Sequence, residues 1–301
     1  MDIIARVLFI LNCLTLVFCH CGVKGLSTKC SCLLLPDETL DIHCTGTDIV
    51  AITSTIPNNT SIYRYTALER QIALHRVDFS HLGSSLLELY VDRPPGRIYS
   101  RNSIQNIPRN SQNVFHSLRR LRVLSINVRW HLIDNLPALF ENLLELEVLD
   151  LSHTQRLQSD GLALAFQGFK NNVKIHTLNL WNIRKFGFFH DDMKLNYSAL
   201  FSPFLNCPLK NINLGYNSIQ SLTPGLILAT PHLEHLIISN NFLYPFFDST
   251  LMIELLTHPR LISVDASEQG YGPPKHYTIK QNHTEVTANH HNAPVLRRIK
   301  R

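Results

Sequence analysis

Imidazole and carboxylate stand side by side at His190-Asp191-Asp192, the pairing that general acid–base chemistry uses. His283, His290 and His291 could ligate a metal, and Cys30-x-Cys32 could open a zinc site. None of these sets completes itself. The acidic pair lies in a long insertion between apolar patterns, where solvated charge is the ordinary occupant. The histidines lie in a polar stretch that offers a metal no fixed geometry. No second closely spaced Cys/His pair accompanies Cys30 and Cys32. The chain also holds no H-E-x-x-H, G-x-S-x-G, P-loop or glycine-rich dinucleotide fingerprint. The expectation is therefore a protein that is not an enzyme, with no cofactor and no metal.

What the cysteines do depends on the compartment. Arg6 precedes the apolar run Val7 to Phe18, which suits a signal-peptide core and is shorter than the roughly 20 residues of a membrane span. Cleavage is expected between residues 19 and 25, and no later stretch reaches membrane-span length. The expected location is thus secreted, or the extracellular face of the plasma membrane. In an oxidising compartment Cys30, Cys32 and Cys44 become disulfide candidates, with Cys44 joined to either Cys30 or Cys32. The other cap cysteine and the distant Cys207 have no obvious partner. Sequons at Asn58, Asn59, Asn196 and Asn282 are candidate glycosylation sites that agree with export.

The elements that would position a site come from a repeat. The pattern L-x-x-L-x-L recurs at Leu86/Leu89/Val91, Leu121/Leu124/Ile126, Leu146/Leu149/Leu151, Ile175/Leu178/Leu180, Leu209/Ile212/Leu214 and Leu233/Leu236/Ile238. A weaker copy is Leu261/Val264/Ala266, and Ile62/Tyr65/Ala67 offers a first one. Most successive starts fall within or near the about 20–29 residues of a leucine-rich repeat, the longer steps implying loop insertions. Apolar residues recur upstream, as in Phe115-x-x-Leu118-x-x-Leu121 and Phe140-x-x-Leu143-x-x-Leu146, with Phe169, Ile227 and Leu255 at the equivalent site. Asn217 and Asn241 complete the motif at its ninth position, where an amide can serve the backbone of the turn. Thr154, Ile183 and Gln269 stand there in other copies and should weaken that ladder.

A single repeat cannot bury its apolar face, so it must stack on its neighbours. The fold class expected is α/β, a leucine-rich-repeat solenoid with a curved parallel sheet on its concave side and irregular or helical convex segments. Residues 1–21 are read as the signal peptide, 22–60 as a cysteine-containing cap, 61–269 as seven to eight irregular repeats, and 270–301 as a polar tail.

Cys30-Ser-Cys32 with Cys44-Thr-Gly, then Ile56-Pro-Asn-Asn-Thr60, resembles the capped entry of extracellular leucine-rich-repeat proteins. Leu146-Glu-Val-Leu-Asp-Leu-Ser-His153, Asn179-Leu-Trp-Asn-Ile183 and Cys207-Pro-Leu-Lys-Asn-Ile-Asn-Leu-Gly-Tyr-Asn217 resemble the ectodomains of Toll-like receptors, invertebrate ones especially. The likeness covers residues 30–269. It implies innate-immune recognition of a microbial or endogenous ligand or a protein, with dimerisation as a partner arrangement. The departures are a shorter array and the lack of a C-terminal cysteine cap, a membrane helix and a TIR domain. A matrix or adhesion scaffold, or a receptor fragment without an independent role, is the alternative.

Gly270-Tyr-Gly-Pro-Pro274 ends the repeats, and an extended, poorly ordered tail is expected after it. Of the 28 basic residues, Lys275, Lys280, Arg297, Arg298, Lys300 and Arg301 fall in 267–301 against Glu268 and Glu285, so most of the net +5 lies there. The near-neutral repeats give no reason to expect a nucleic acid. The last apolar layer, near Leu261 and Val264, is expected to lie open. On the concave face, the residues alternating with the buried leucines are Tyr90, Asn127, Asp150, Ser152, His153, Asn179, Trp181, Asn213, Gly215, Tyr216, His235, Ile237 and Ser239. Of these, Tyr90, His153, Asn179, Trp181, Asn213, Tyr216 and His235 are the candidate binding residues, with Trp181 and Tyr216 as aromatic anchors.

Overall fold

The computed structural model describes residues 26–68, 71–72, 74–94, 103–104, 114–130, 139–154, 159–183, 197–219, 222, 225–241, 243, 253–255, 257–267, 278–281, 284–287 and 295–298. The signal-peptide segment, His190-Asp191-Asp192, the ninth-position Gln269, His283, His290 and His291, and the sequons at Asn196 and Asn282 lie outside these residues.

The chain enters through an antiparallel hairpin, β1 (Cys30–Leu34) with β2 (Leu40–Gly46). From β2 the strands run parallel: β3 (Thr60–Ala67), β5 (Glu88–Asp92), β7 (Val123–Ile126), β9 (Val148–Asp150), β10 (Thr177–Asn179), β11 (Asn211–Asn213), β12 (His235–Ile237) and β13 (Ser263–Asp265). Three two-residue strands, β4 (Gln71–Ile72), β6 (Ser103–Ile104) and β8 (Arg129–Trp130), form a second small parallel sheet. The main parallel strands shorten from eight residues in β3 to three in β9 through β13, and the chain returns between strands to start the next one in the same direction.

Register is set by the leucine ladder. Leu89, Leu124, Leu149, Leu178, Ile212, Leu236 and Val264 are register partners along successive strands. All seven are buried. Because side chains alternate with period two, a one-residue slip would turn this whole row to solvent. At about 1.5–3 kcal/mol per buried aliphatic side chain, the row fixes the pairing.

The convex side is closed by aromatic rings. Phe115, Phe140, Phe169 and Phe204 stack in series, with centroids 6.2, 5.2 and 5.3 Å apart. Phe115, Phe140 and Phe169 occupy the apolar site read upstream of the leucine triples, Ile227 and Leu255 are buried at the same site further on, and Phe204, one residue out of that spacing, was not read from the sequence. Short helices α2 (Ser159–Phe166), α3 (Tyr197–Phe201) and α4 (Gly225–Leu228) cover this side, while α1 (Ile49–Thr53) covers the cap. Gly168 allows two repeats to approach there: a Cβ on it would lie 2.5 Å from the Glu141 nitrogen.

The first repeat has a different register from the one expected. Tyr63 pairs with Leu89 and Tyr65 with Val91, so the inward triple is Thr60/Tyr63/Tyr65, and Ile62 faces outward. Thr60 takes the first apolar position because its hydroxyl donates to Pro57 O at 2.7 Å, which satisfies it in a buried setting. Aliphatic matching missed this, since two tyrosines and a threonine form the inner row.

The cap disulfide joins Cys30 to Cys44. The two are register partners across the β1–β2 hairpin, which resolves the choice left open by sequence. Cys32 is disulfide-bonded as well, contrary to the expectation of a partnerless cap cysteine.

The C-terminal end also differs. Residues expected to form a tail without regular structure contain β14 (Thr278–Gln281), β15 (Thr284–Thr287) and β16 (Val295–Arg298). β16 lies antiparallel against β13, pairing Leu296 with Val264, and β15 and β14 follow outward. The edge of the last repeat strand, expected to be open, is paired.

Candidate functional site

The concave surface is built from the two outward positions of each strand and the turn that leaves it. At the second outward position Asp150, Asn179, Asn213 and Asp265 use a side-chain oxygen to accept the N–H two residues on, at 2.8, 3.2, 3.0 and 3.0 Å. These Asx turns bend the chain out of the sheet. Asn179 and Asn213, both candidate binding residues, thus have their carbonyl oxygens committed to the turn.

Three residues on, His153, Asn182, Tyr216 and Asn240 all adopt left-handed backbone, with φ of 62, 53, 58 and 53°. They hold the same place in four consecutive repeats. Only this handedness returns the chain inward for the ninth residue, and its cost at a non-glycine position must be met by neighbouring contacts.

Those contacts come from the ninth residue. Asn217 donates to Leu180 O at 2.7 Å and Leu214 O at 3.0 Å, and it accepts from Ile183 N at 2.9 Å. Asn241 repeats the pattern one rung on, donating to Leu214 O and Ile238 O and accepting from Asn217 N and Ile219 N. Each amide therefore serves the preceding repeat as well as its own. That explains Ile183: its N–H is supplied with an acceptor by Asn217, so an apolar side chain is tolerated at its own ninth position. Thr154 makes only a local bond, to Leu151 O, so the ladder is weaker there, as expected.

The exit turns gather aromatic rings. His153 meets Trp181 edge to face with centroids 4.4 Å apart, and Trp181 meets Tyr216 in the same way at 4.9 Å. Asn182 Nδ2 lies 3.2 Å from His153 Nδ1. All three rings are half-buried. Burial, then the nearby Arg93 charge, lowers the His153 pKa to about 4, so the imidazole in this cluster is neutral at physiological pH. Gly215 makes the arrangement possible: a Cβ there would lie 2.8 Å from Trp181 Cδ1. The other described exit turns have Asp92, Asn127, Ser152, Trp181, Ser239 and Ser267 at this position, so a glycine one repeat after a tryptophan at the same place was the signal available in the sequence.

Tyr90 and His235 stand apart from this cluster. Arg64 lies over the Tyr90 ring at 4.3 Å, and the Tyr90 hydroxyl donates to Glu88 at 2.8 Å. Burial, with Glu88 next, pushes that hydroxyl's pKa up. Arg64 also reaches Asp41 at 3.5 Å and Glu88 at 3.9 Å, forming a charged lattice near the cap. His235 pairs with Ser263 Oγ at 2.8 Å and shares its strand's outer face with Ile237, which is 36 % exposed. Ser152 and Ser239, expected on the open face, are buried. Ser152 donates to Asn127 Oδ1 at 2.8 Å, and Asn127 donates to Asp92 at 3.0 Å, so this polar row links repeats to one another.

A second polar row on the convex side was not legible. Asn172 donates to Leu143 O at 2.7 Å and Leu146 O at 3.2 Å. Cys207 is a free, buried thiol whose Sγ lies 2.9 Å from Asn172 O, and His258 contacts Thr230 O at 3.2 Å. Burial pushes the Cys207 thiol up to about 11. It is a hydrogen-bond donor in the core, which answers the question of its missing disulfide partner.

Stacked parallel strands, leucine rungs and an asparagine ladder define this fold as a leucine-rich-repeat solenoid. No protein-family model matches the chain. No curated protein matches it either. Among solved structures it is similar to a chain of the glycosylated Toll–Spatzle complex of Drosophila, described as a molecular hub in development and innate immunity. The identity is 17 %, with a TM-score of 0.30, and the match covers 73 % of this chain and 36 % of that one. Among the described residues, no helix is long and apolar enough to cross a membrane.

Proposed function

We propose that this chain is an extracellular recognition module of the Toll-like-receptor type, binding a microbial or endogenous ligand through its concave face and the adjoining exit turns. The observation that carries this reading is the His153–Trp181–Tyr216 cluster. Three half-buried rings are preorganised on a rigid sheet, and rigid aromatics supply contact area with little loss of conformational entropy. The disulfide-bonded cap supports an oxidising compartment. The resemblance of residues 30–269 to Toll-like ectodomains favours immune recognition over a matrix scaffold.

Binding of the secreted chain to defined microbial surfaces tests the proposal. Lipopolysaccharide, peptidoglycan, β-glucan and an immobilised second copy of the chain serve as probes in biolayer interferometry. Saturable binding to at least one probe is expected, weakened at least tenfold by Trp181→Ala with Tyr216→Ala. Binding that both substitutions leave intact, or no binding to any probe, would overturn it.

A further inference from the structure

Two sequons overlap at Asn58-Asn59-Thr60 and Asn59-Thr60-Ser61. We infer that Asn58 is the glycosylated member of the pair, its glycan standing on the turn that leads into the first repeat strand; the inference rests on the extracellular reading above. Thr60 N donates to Pro57 O at 3.1 Å, which closes a four-residue turn with Asn58 and Asn59 at its corner. Both asparagines are exposed, but their amides differ. Asn59 Nδ2 donates to Glu38 O at 3.2 Å, tying this turn to the neighbouring cap turn. A sugar on that nitrogen would be seated against the Glu38 turn. The Asn58 amide has no hydrogen-bond partner among the described residues, while its backbone carbonyl accepts from Ser85 Oγ at 2.5 Å. The acceptor backbone is therefore held and the side chain is left outward.

Adjacent residues lie about 3.8 Å apart at Cα, too close for two branched glycans, so one site excludes the other. The donor is an oligosaccharide linked to a lipid diphosphate. A bond forms between Asn58 Nδ2 and the sugar C1, the C1–phosphate bond breaks, the lipid diphosphate leaves, and the amide proton passes to a base. The consequence is spatial. Asn58 and Ser85 lie at turns that enter β3 and β5, whereas His153, Trp181 and Tyr216 lie where strands end. A glycan at Asn58 covers the entry edge beside the cap and leaves the aromatic exit edge open to a partner.

The test is peptide mapping of the full chain secreted from insect cells, with enzymatic deglycosylation in heavy-oxygen water to mark the modified asparagine. The mark is expected on residue 58 in the wild type and in Asn59→Gln, and on neither residue in Asn58→Gln. A secreted chain marked at 59, or unmarked at 58, overturns the inference and leaves the extracellular reading standing. A chain retained in the cytosol without any glycan overturns both. Both substitutions are at exposed positions, and mapping of the wild type alone already decides between the two asparagines.

Discussion

Asn241 Oδ1 accepts the backbone N–H of Asn217 at 2.8 Å, although the two belong to different repeats. The amide of one rung thus completes the turn of the rung before it, and the solenoid's repeats are coupled by side chains as well as by strands. Removing either amide leaves buried carbonyls and N–H groups without partners.

Asn217→Ala should lower unfolding free energy by about 2–4 kcal/mol, since each buried group left unsatisfied costs about 1–3 kcal/mol. Asn213→Ala, at a half-buried Asx turn, should cost less than about 1 kcal/mol. Urea denaturation followed by circular dichroism compares the two. Equal effects would remove the ladder from the account.

Gly215→Ala should displace the indole of Trp181, because the new methyl would approach Cδ1 within 2.8 Å. In a Trp130→Phe background the emission of Trp181 is expected to shift to the red, while the melting temperature changes by only a few degrees. An unchanged spectrum would mean that the close packing of Trp181 over this turn does not hold in solution.

Stability should fall as the pH drops from about 6.5 toward 4. His153 is neutral in the folded chain down to about pH 4, whereas in the unfolded chain it binds a proton near 6.5. The unfolded state therefore takes up more protons in this window, so folding weakens as protons are added. His258, also lowered by burial, acts in the same direction. His153→Gln should flatten part of this slope in denaturation series between pH 4 and 7. An identical slope in the variant would assign the effect elsewhere.

Cys207 should resist alkylation by iodoacetamide at pH 8 in the native chain and react once urea unfolds it. Its burial and its raised pKa both suppress the thiolate. Cys207→Ser, which can still donate toward Asn172 O, should fold more stably than Cys207→Leu, which can neither donate nor fit. Rapid native labelling would contradict the buried-donor role.

Reduction of the Cys30–Cys44 bond, which closes a short loop, should cost about 2–4 kcal/mol. Hydrogen exchange is expected to rise first in β1 and β2, and later in β10 through β12. Uniform acceleration along the whole sheet would show that the cap and the repeats unfold as one unit.

The leucine rungs were legible because Leu149, Leu178, Ile212 and Leu236 state their burial in a local pattern. Phe115, Phe140 and Phe169 on the convex side were legible for the same reason. Asn172 and Cys207 were not, since they lie outside the motif and act on carbonyls of the preceding repeat. The aromatic cluster was half legible: ring type and strand register mark Trp181 and Tyr216 as anchors, but their contact spans 35 residues and depends on a glycine. The tail strands escaped because pairing with β13 is a long-range event that local polarity does not announce. Tyr63 and Tyr65 were misregistered because aromatics replace aliphatics in the inner row.

A stack of parallel strands behaves as a linear polymer whose growing tip is the free edge of its last subunit. β16 lies on that tip with reversed polarity, so the hydrogen-bonding row that a following repeat would use is already occupied. Elongation of the array by another chain, or by a further unit of the same kind, would first have to peel β16 away.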